Sequence, residues 1–198
     1  AGADDSRIVT PHKLYETPGI YRRNVIINGD MRVAQRGTSF SFGSVASAYP
    51  VDRFYGISTA DSVQTVSQDT DVPNGEGFRY SFKWDVTTAD ATVDGSQYAA
   101  IIYKVEGYDF SRFVGKTGVL SFWVKSPKTG TFGLKLQNSV ADLNYLTTYT
   151  VNAANTWEKK VITIQFNYAG GTWNYTNGVG LSIVWSLAVG AALQGSTY

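Results

Sequence analysis

From Asn24 onward the chain is written in short stretches where apolar and polar residues alternate, the period of a strand. Phe78 to Trp84 (FRYSFKW) sets aromatic residues against polar ones at every second position. Ala99 to Glu106, Val119 to Lys125, Thr131 to Gln137, Tyr145 to Val151, Lys160 to Phe166 and Val179 to Leu187 are predicted as further strands. Val25-Ile26-Ile27 is a short apolar run, read as a strand stopped by the turn Asn28-Gly29-Asp30. Between the later strands lie polar, Gly-bearing turns, among them Pro127 to Gly130, Asn152 to Asn155 and Tyr168 to Gly171. Phe110 to Gly115 reads as one helical turn closed by its glycine. No stretch sustains a period of 3.6, so long helices are not expected. Many short strands with such turns predict an all-β protein, a sandwich or a barrel.

The phase of each strand names its core side, because neighbouring side chains point to opposite faces. Leu120, Phe122 and Val124 share a face, as do Phe132, Leu134 and Leu136. Ile162, Ile164 and Phe166 form a third set, and Leu181, Ile183, Trp185 and Leu187 a fourth. The opposite faces carry Ser121, Trp123 and Lys125; Lys135 and Gln137; Thr163 and Gln165; Ser182 and Ser186. One side is greasy. The other mixes hydrogen-bonding groups with an aromatic ring, which suits a saccharide.

Residues 1–23 differ. Thr10 to Tyr15 reads as a single helical turn capped by Thr10, with Pro11 where a missing N–H costs nothing, and Thr17-Pro18-Gly19 then breaks it. A segment this short has no core, so residues 1–23 are expected to be a linker or stalk end and residues 24–198 the folded domain. The chain begins at Ala, so it is expected to be a piece of a longer protein.

Composition narrows the chemistry. A formal net charge of +1 and no basic run longer than two argue against a nucleic-acid partner. No apolar stretch approaches the ~18 residues of a membrane span. With no cysteine there is no disulfide and no thiolate metal site. The one histidine, His12, falls in the linker, so a Ser-His-Asp triad and a multi-histidine zinc site are both excluded from the folded domain. Paired carboxylates remain open, because a glycosidase needs two acids about 5 to 9.5 Å apart. Asp52, Asp85, Asp94, Glu106, Asp109 and Glu158 are the candidates, most of them in turns or at strand ends. No cofactor or metal is expected: Asp69 and Asp71, or Asp90 and Asp94, could offer oxygens to calcium, but isolated Asp pairs in turns are ordinary.

Aromatic residues carry the positive signal. Sugars stack their C–H faces on Trp or Tyr rings while amides and charged groups bond the hydroxyls. Trp123 sits mid-strand, out of phase with its apolar neighbours, with Lys125 on the same side. Tyr145 and Tyr149 are two steps of two apart in an otherwise polar strand, so their rings point the same way. Trp173 and Tyr175 lie in a Gly/Asn-rich loop (GGTWNYTNG), where large rings have no obvious folding role. Each also has a bland reading: a second core, a cross-strand pair, or a loop anchor. Trp84 and Trp185 read as core or rim, and Trp157 as an edge plug.

Two stretches resemble known sequences. DDSRIVTPHKL (Asp4 to Leu14) is similar to a repeat, D-[DN]-x-x-x-V-T-P-x-x-L, that precedes the receptor-binding tips of many phage tail fibres. NVIINGDMRVAQRGTSF (Asn24 to Phe40), followed by YPVDRF (Tyr49 to Phe54), resembles the start of a phage tail-fibre domain family. GKTGVLSFWVKS, NTWEKKVITI and GLSIVWSL are similar to that family in the same order. The resemblance implies an antiparallel β-sandwich of jelly-roll type that binds host cell-surface polysaccharide. It also implies a place in the virion beside other tail proteins, with assembly as a homotrimer. Gln35, Arg36, Gly37, Asp52 and Arg53 match as fold signatures. Asn28-Gly29-Asp30 also resembles the opening of jelly-roll carbohydrate-binding modules, in which a following Glu helps hold calcium; Met31 and Arg32 stand here instead. The family closes with strands of the type F-x-I-x-G-x-Q-L-E, expected to lie beyond Tyr198. The expected function is therefore non-catalytic glycan binding. A structural connector on the virion and a polysaccharide depolymerase are the alternatives.

Overall fold

The computed structural model describes residues 24–167 and 170–194. The linker expected at 1–23, its helical turn, and the last turn at 195–198 lie outside the described residues. Eleven strands run antiparallel: β1 (Ser39–Phe42), β2 (Ala46–Val51), β3 (Phe54–Ser58), β4 (Val63–Asp69), β5 (Ser81–Thr88), β6 (Tyr98–Glu106), β7 (Thr117–Val124), β8 (Gly130–Gln137), β9 (Asn144–Val151), β10 (Glu158–Gln165) and β11 (Val179–Val189). One helical turn, α1 (Gly107–Phe110), and a 3₁₀ turn (Ser111–Phe113) follow β6.

The largest sheet has six strands in the order β2-β3-β6-β11-β8-β9. Two smaller sheets, β1-β4-β5 and β10-β7, complete the described sheets. Both smaller sheets pack on the same side of the large one. Leu120, Phe122 and Val124 of β7 and Ile162 and Ile164 of β10 share a core with Tyr103, Leu134, Leu136, Tyr149, Leu181 and Ile183 of the large sheet. Phe82 of β5 packs against the same core. Gly56 of β3 lies so close beneath β4 and β5 that a Cβ there would come within 2.7 Å of Trp84 and 2.9 Å of Val66. The architecture is an all-β sandwich of antiparallel sheets, as the alternation predicts.

Asp71 ties the small sheets together. Its carboxylate accepts from Lys125 Nζ at 2.5 Å, just past β7, and from Trp157 Nε1 at 2.9 Å, just before β10. Asp71 itself follows β4, so one side chain joins three chain segments.

Val25-Ile26-Ile27 is not a strand, which corrects the expectation above. The segment is held by Tyr103, whose hydroxyl accepts from the Ile27 N–H at 2.8 Å and donates to the Val25 carbonyl at 3.1 Å. Val25 and Ile26 reach the core from a loop. Asn28, in the left-handed region at φ 59°, donates to the Val33 and Asp52 carbonyls and accepts from the Val33 N–H.

Candidate functional site

The loop between β10 and β11 builds one aromatic cluster. Phe110 of α1 is buried, and the Trp173 ring stacks on it at 4.9 Å. Tyr175 lies parallel to Phe110 at 6.3 Å and stays 42% exposed. Phe110, Val114, Phe166, Trp173 and Tyr175 line a shallow depression. Tyr108 of α1, 61% exposed, ties its backbone to the same loop by donating its N–H to Thr176. Residues 170–178 of the loop are tied down by hydrogen bonds. The Gly107 N–H donates to Gly178, Trp173 Nε1 donates to Gly170, and the Asn174 side chain accepts from Thr176. Trp173 is half-buried against the core and anchors the loop; Tyr175 and Tyr108 are the rings a ligand can reach.

Trp123 sits on the outer face of the β7–β10 ribbon, partly exposed and cross-strand from Lys159. Val119 and Val161 on that face are 65% and 61% exposed. Lys125 is committed to Asp71. Tyr145 and Tyr149 do point the same way, but inward, which corrects their assignment as a sugar platform. Tyr149 is 7% exposed, wedged at 5.0 Å against Phe122 and stacked on Phe132, and burial pushes its hydroxyl up to about 12. Tyr145 is half-buried against the same core. The sequence held the warning: Val151 shares their phase.

The carboxylates are largely occupied with folding. Glu106 accepts from Arg53 at 2.9 Å, Asp52 from the Gln35 N–H, and Asp109 lies 3.4 Å from Arg112. Glu158 accepts from Lys160, Asn152 and Ala153, which together hold it down at about 2. Asp142 accepts from Asn138 and Thr172. Of the two pairs considered for calcium, Asp69, Asp71 and Asp90 are similarly engaged. Asp69 accepts from the Asp71 N–H and faces Lys83, and Asp90 accepts from the Asp61 and Thr92 amides. Among the described residues no three or more acid, histidine or cysteine side chains converge as a metal group would.

A second surface was only half visible in the sequence. The outer face of the six-stranded sheet carries a small apolar cluster of Ala100, Ile102 and Val184, flanked by Tyr55, Ile57 and Tyr98. Tyr49 stacks on Tyr55 at 4.9 Å, Arg36 lies 4.7 Å over Tyr49, and Lys104 lies 5.3 Å from the Tyr55 ring centre. Register carries the row across the sheet: Lys104 opposes Ser182, which opposes Gln137, which opposes Asn144. One step down, Ile102 opposes Val184, which opposes Lys135, which opposes Leu146. The side-chain oxygens of Gln137 and Asn144 are buried and have no donor. Lys135 and Gln137 were legible as outward residues. Lys104 and the tyrosines were not, because they sit in strands dominated by apolar residues.

The fold and these surfaces define the chain as an all-β protein of antiparallel sandwich type. Compared with known proteins, it matches no protein-family model and no curated protein.

Proposed function

We propose that the chain is a non-catalytic glycan-binding module, a jelly roll of the kind carried at the receptor-binding tip of a phage tail fibre. The observation that carries the reading is the aromatic rim. Tyr175 is held parallel to the buried Phe110 ring and left 42% exposed, with residues 170–178 behind it tied down by hydrogen bonds. A fixed, half-bare ring loses little entropy on meeting a sugar face, and preorganisation of that sort is what weak saccharide sites need. The engaged carboxylates favour binding over hydrolysis, because an acid locked by a cation and two amides is a poor proton donor.

The test is a glycan array probed with the purified chain, followed by calorimetry on the best ligand. Tyr175→Ala is expected to weaken binding about tenfold, in line with the loss of one stacked ring of about 1 kcal/mol or more. Unchanged affinity in Tyr175→Ala and Tyr108→Ala would remove the rim from the account.

A structural connector is the second reading, favoured by the bare Val119 and Val161 and the partly exposed Trp123 on the ribbon's outer face. Under that reading Trp123→Ala abolishes assembly with other virion proteins and the array stays blank.

A further inference from the structure

We propose that the outer face of the six-stranded sheet is a binding surface for an acidic saccharide, with Lys104 and Lys135 holding its carboxylates. The inference rests on the glycan reading for its ligand class, but on none of the rim residues.

Charge is the first argument. The six strands of this sheet contain only three charged residues: Lys104, Glu106 and Lys135. Arg53 neutralises Glu106 at 2.9 Å. The remaining two are cations on the outer face, and Arg36 over Tyr49 adds a third at the β2 side. Lys104 rests over Tyr55. Lys135 is half-buried among outer-face neighbours and has no ion pair or hydrogen bond among the described residues. Burial without a partner pushes its ammonium below the usual lysine range. A cation kept there against that cost asks for an anion.

Geometry is the second. Lys104 and Lys135 lie on β6 and β8, with β11 between them. Two strand spacings, combined with a register offset of two residues, put them roughly 12 Å apart across the sheet. The strand between contributes Ser182 and Val184, small enough to leave a floor rather than a wall.

Ligand class is the third. The glycan reading supplies a saccharide, and the unpaired Lys135 beside Lys104 selects an acidic one. A uronic-acid polymer brings carboxylates for both lysines. Polyphosphate offers comparable charge without sugar rings, so it is the competitor the experiment has to separate.

The experiment uses polygalacturonate, the same polymer after carboxyl reduction, and polyphosphate, each titrated into the chain by calorimetry. Polygalacturonate is expected to bind at least tenfold more tightly than its reduced form, and more tightly than polyphosphate. Lys104→Met and Lys135→Met are each expected to weaken it about fivefold to tenfold, while Lys159→Met, on the ribbon face, leaves it unchanged. Circular dichroism and melting temperature confirm that each variant is folded. Equal binding of the acidic and reduced polymers would overturn this proposal and leave the glycan reading standing. No binding of either would overturn this proposal, while the glycan reading still stands or falls by the array. Tighter binding of polyphosphate, or full affinity in the Lys104→Met/Lys135→Met double variant, would overturn the acidic-sugar assignment alone.

Discussion

Glu158 shows how much one side chain organises at the edge of this fold. Its carboxylate accepts from Lys160 at 2.6 Å and from the Asn152 and Ala153 amides at 2.8 Å, so it closes the turn between β9 and β10. Lys160 first, then the amides, hold it at about 2 against an ordinary 4.5. The folded protein therefore binds this proton less readily than the unfolded chain. The stability it confers is complete above about pH 4.5 and is lost as the pH falls through about 2. At pH 7, Glu158→Gln should melt below the parent protein, because Lys160 loses its counter-charge. The gap should narrow as the pH falls from 4.5 to 2, which thermal melts at four or five pH values will read. A gap that stays constant with pH would mean the charge contributes nothing.

Among the elements, β3 and β6 each carry a constraint that one substitution can read. Gly56→Ala on β3 would drive a methyl group into Trp84 and Val66, and overpacking of this kind costs about 1–3 kcal/mol. Tyr103→Phe on β6 would leave the Ile27 N–H without its acceptor and free the 24–33 segment, at a cost of about 1–3 kcal/mol. Urea denaturation of both variants checks the two figures, and a Tyr103→Phe midpoint equal to the parent's would show the loop to be held by other means. The sequence reveals these elements unevenly, for physical reasons. β6 to β11 announce themselves because aliphatic and aromatic residues recur at every second position. β1 to β4 were missed because their inward positions are filled by polar or atypical residues: Ser58 and Gln64 are fully buried, and Pro50 sits inside β2. Gln64 is satisfied by Ser62 and the Gly43 carbonyl, pairings across a turn that no alternation encodes. Val25 to Ile27 misled for the opposite reason, being apolar enough for a strand yet docked as a loop. The aromatic rim was legible at Trp173 and Tyr175, while the ring they pack on, Phe110, was not, because it comes from a distant helical turn.

At the scale of the whole molecule, the sandwich spends one side of its six-stranded sheet on the core and leaves the other for contact. A single rim of exposed rings gives a weak grip, so the expected trimer matters to the proposed function. Three tethered copies should bind an immobilised polysaccharide about a hundredfold more tightly than one, without any new contact. Surface plasmon resonance of the single chain and of a trimeric fusion will measure the ratio, and equal off-rates would argue against a multivalent role. One border of that sheet has its own consequence. Among the described residues β2 forms that border, and it carries Pro50 and a bulge between Ala48 and Val51. A proline has no amide hydrogen to offer, and a bulge bends the remaining ones out of line. A stray extended chain therefore finds no continuous ladder there to extend, and crowded copies are steered away from fibril growth along that flank.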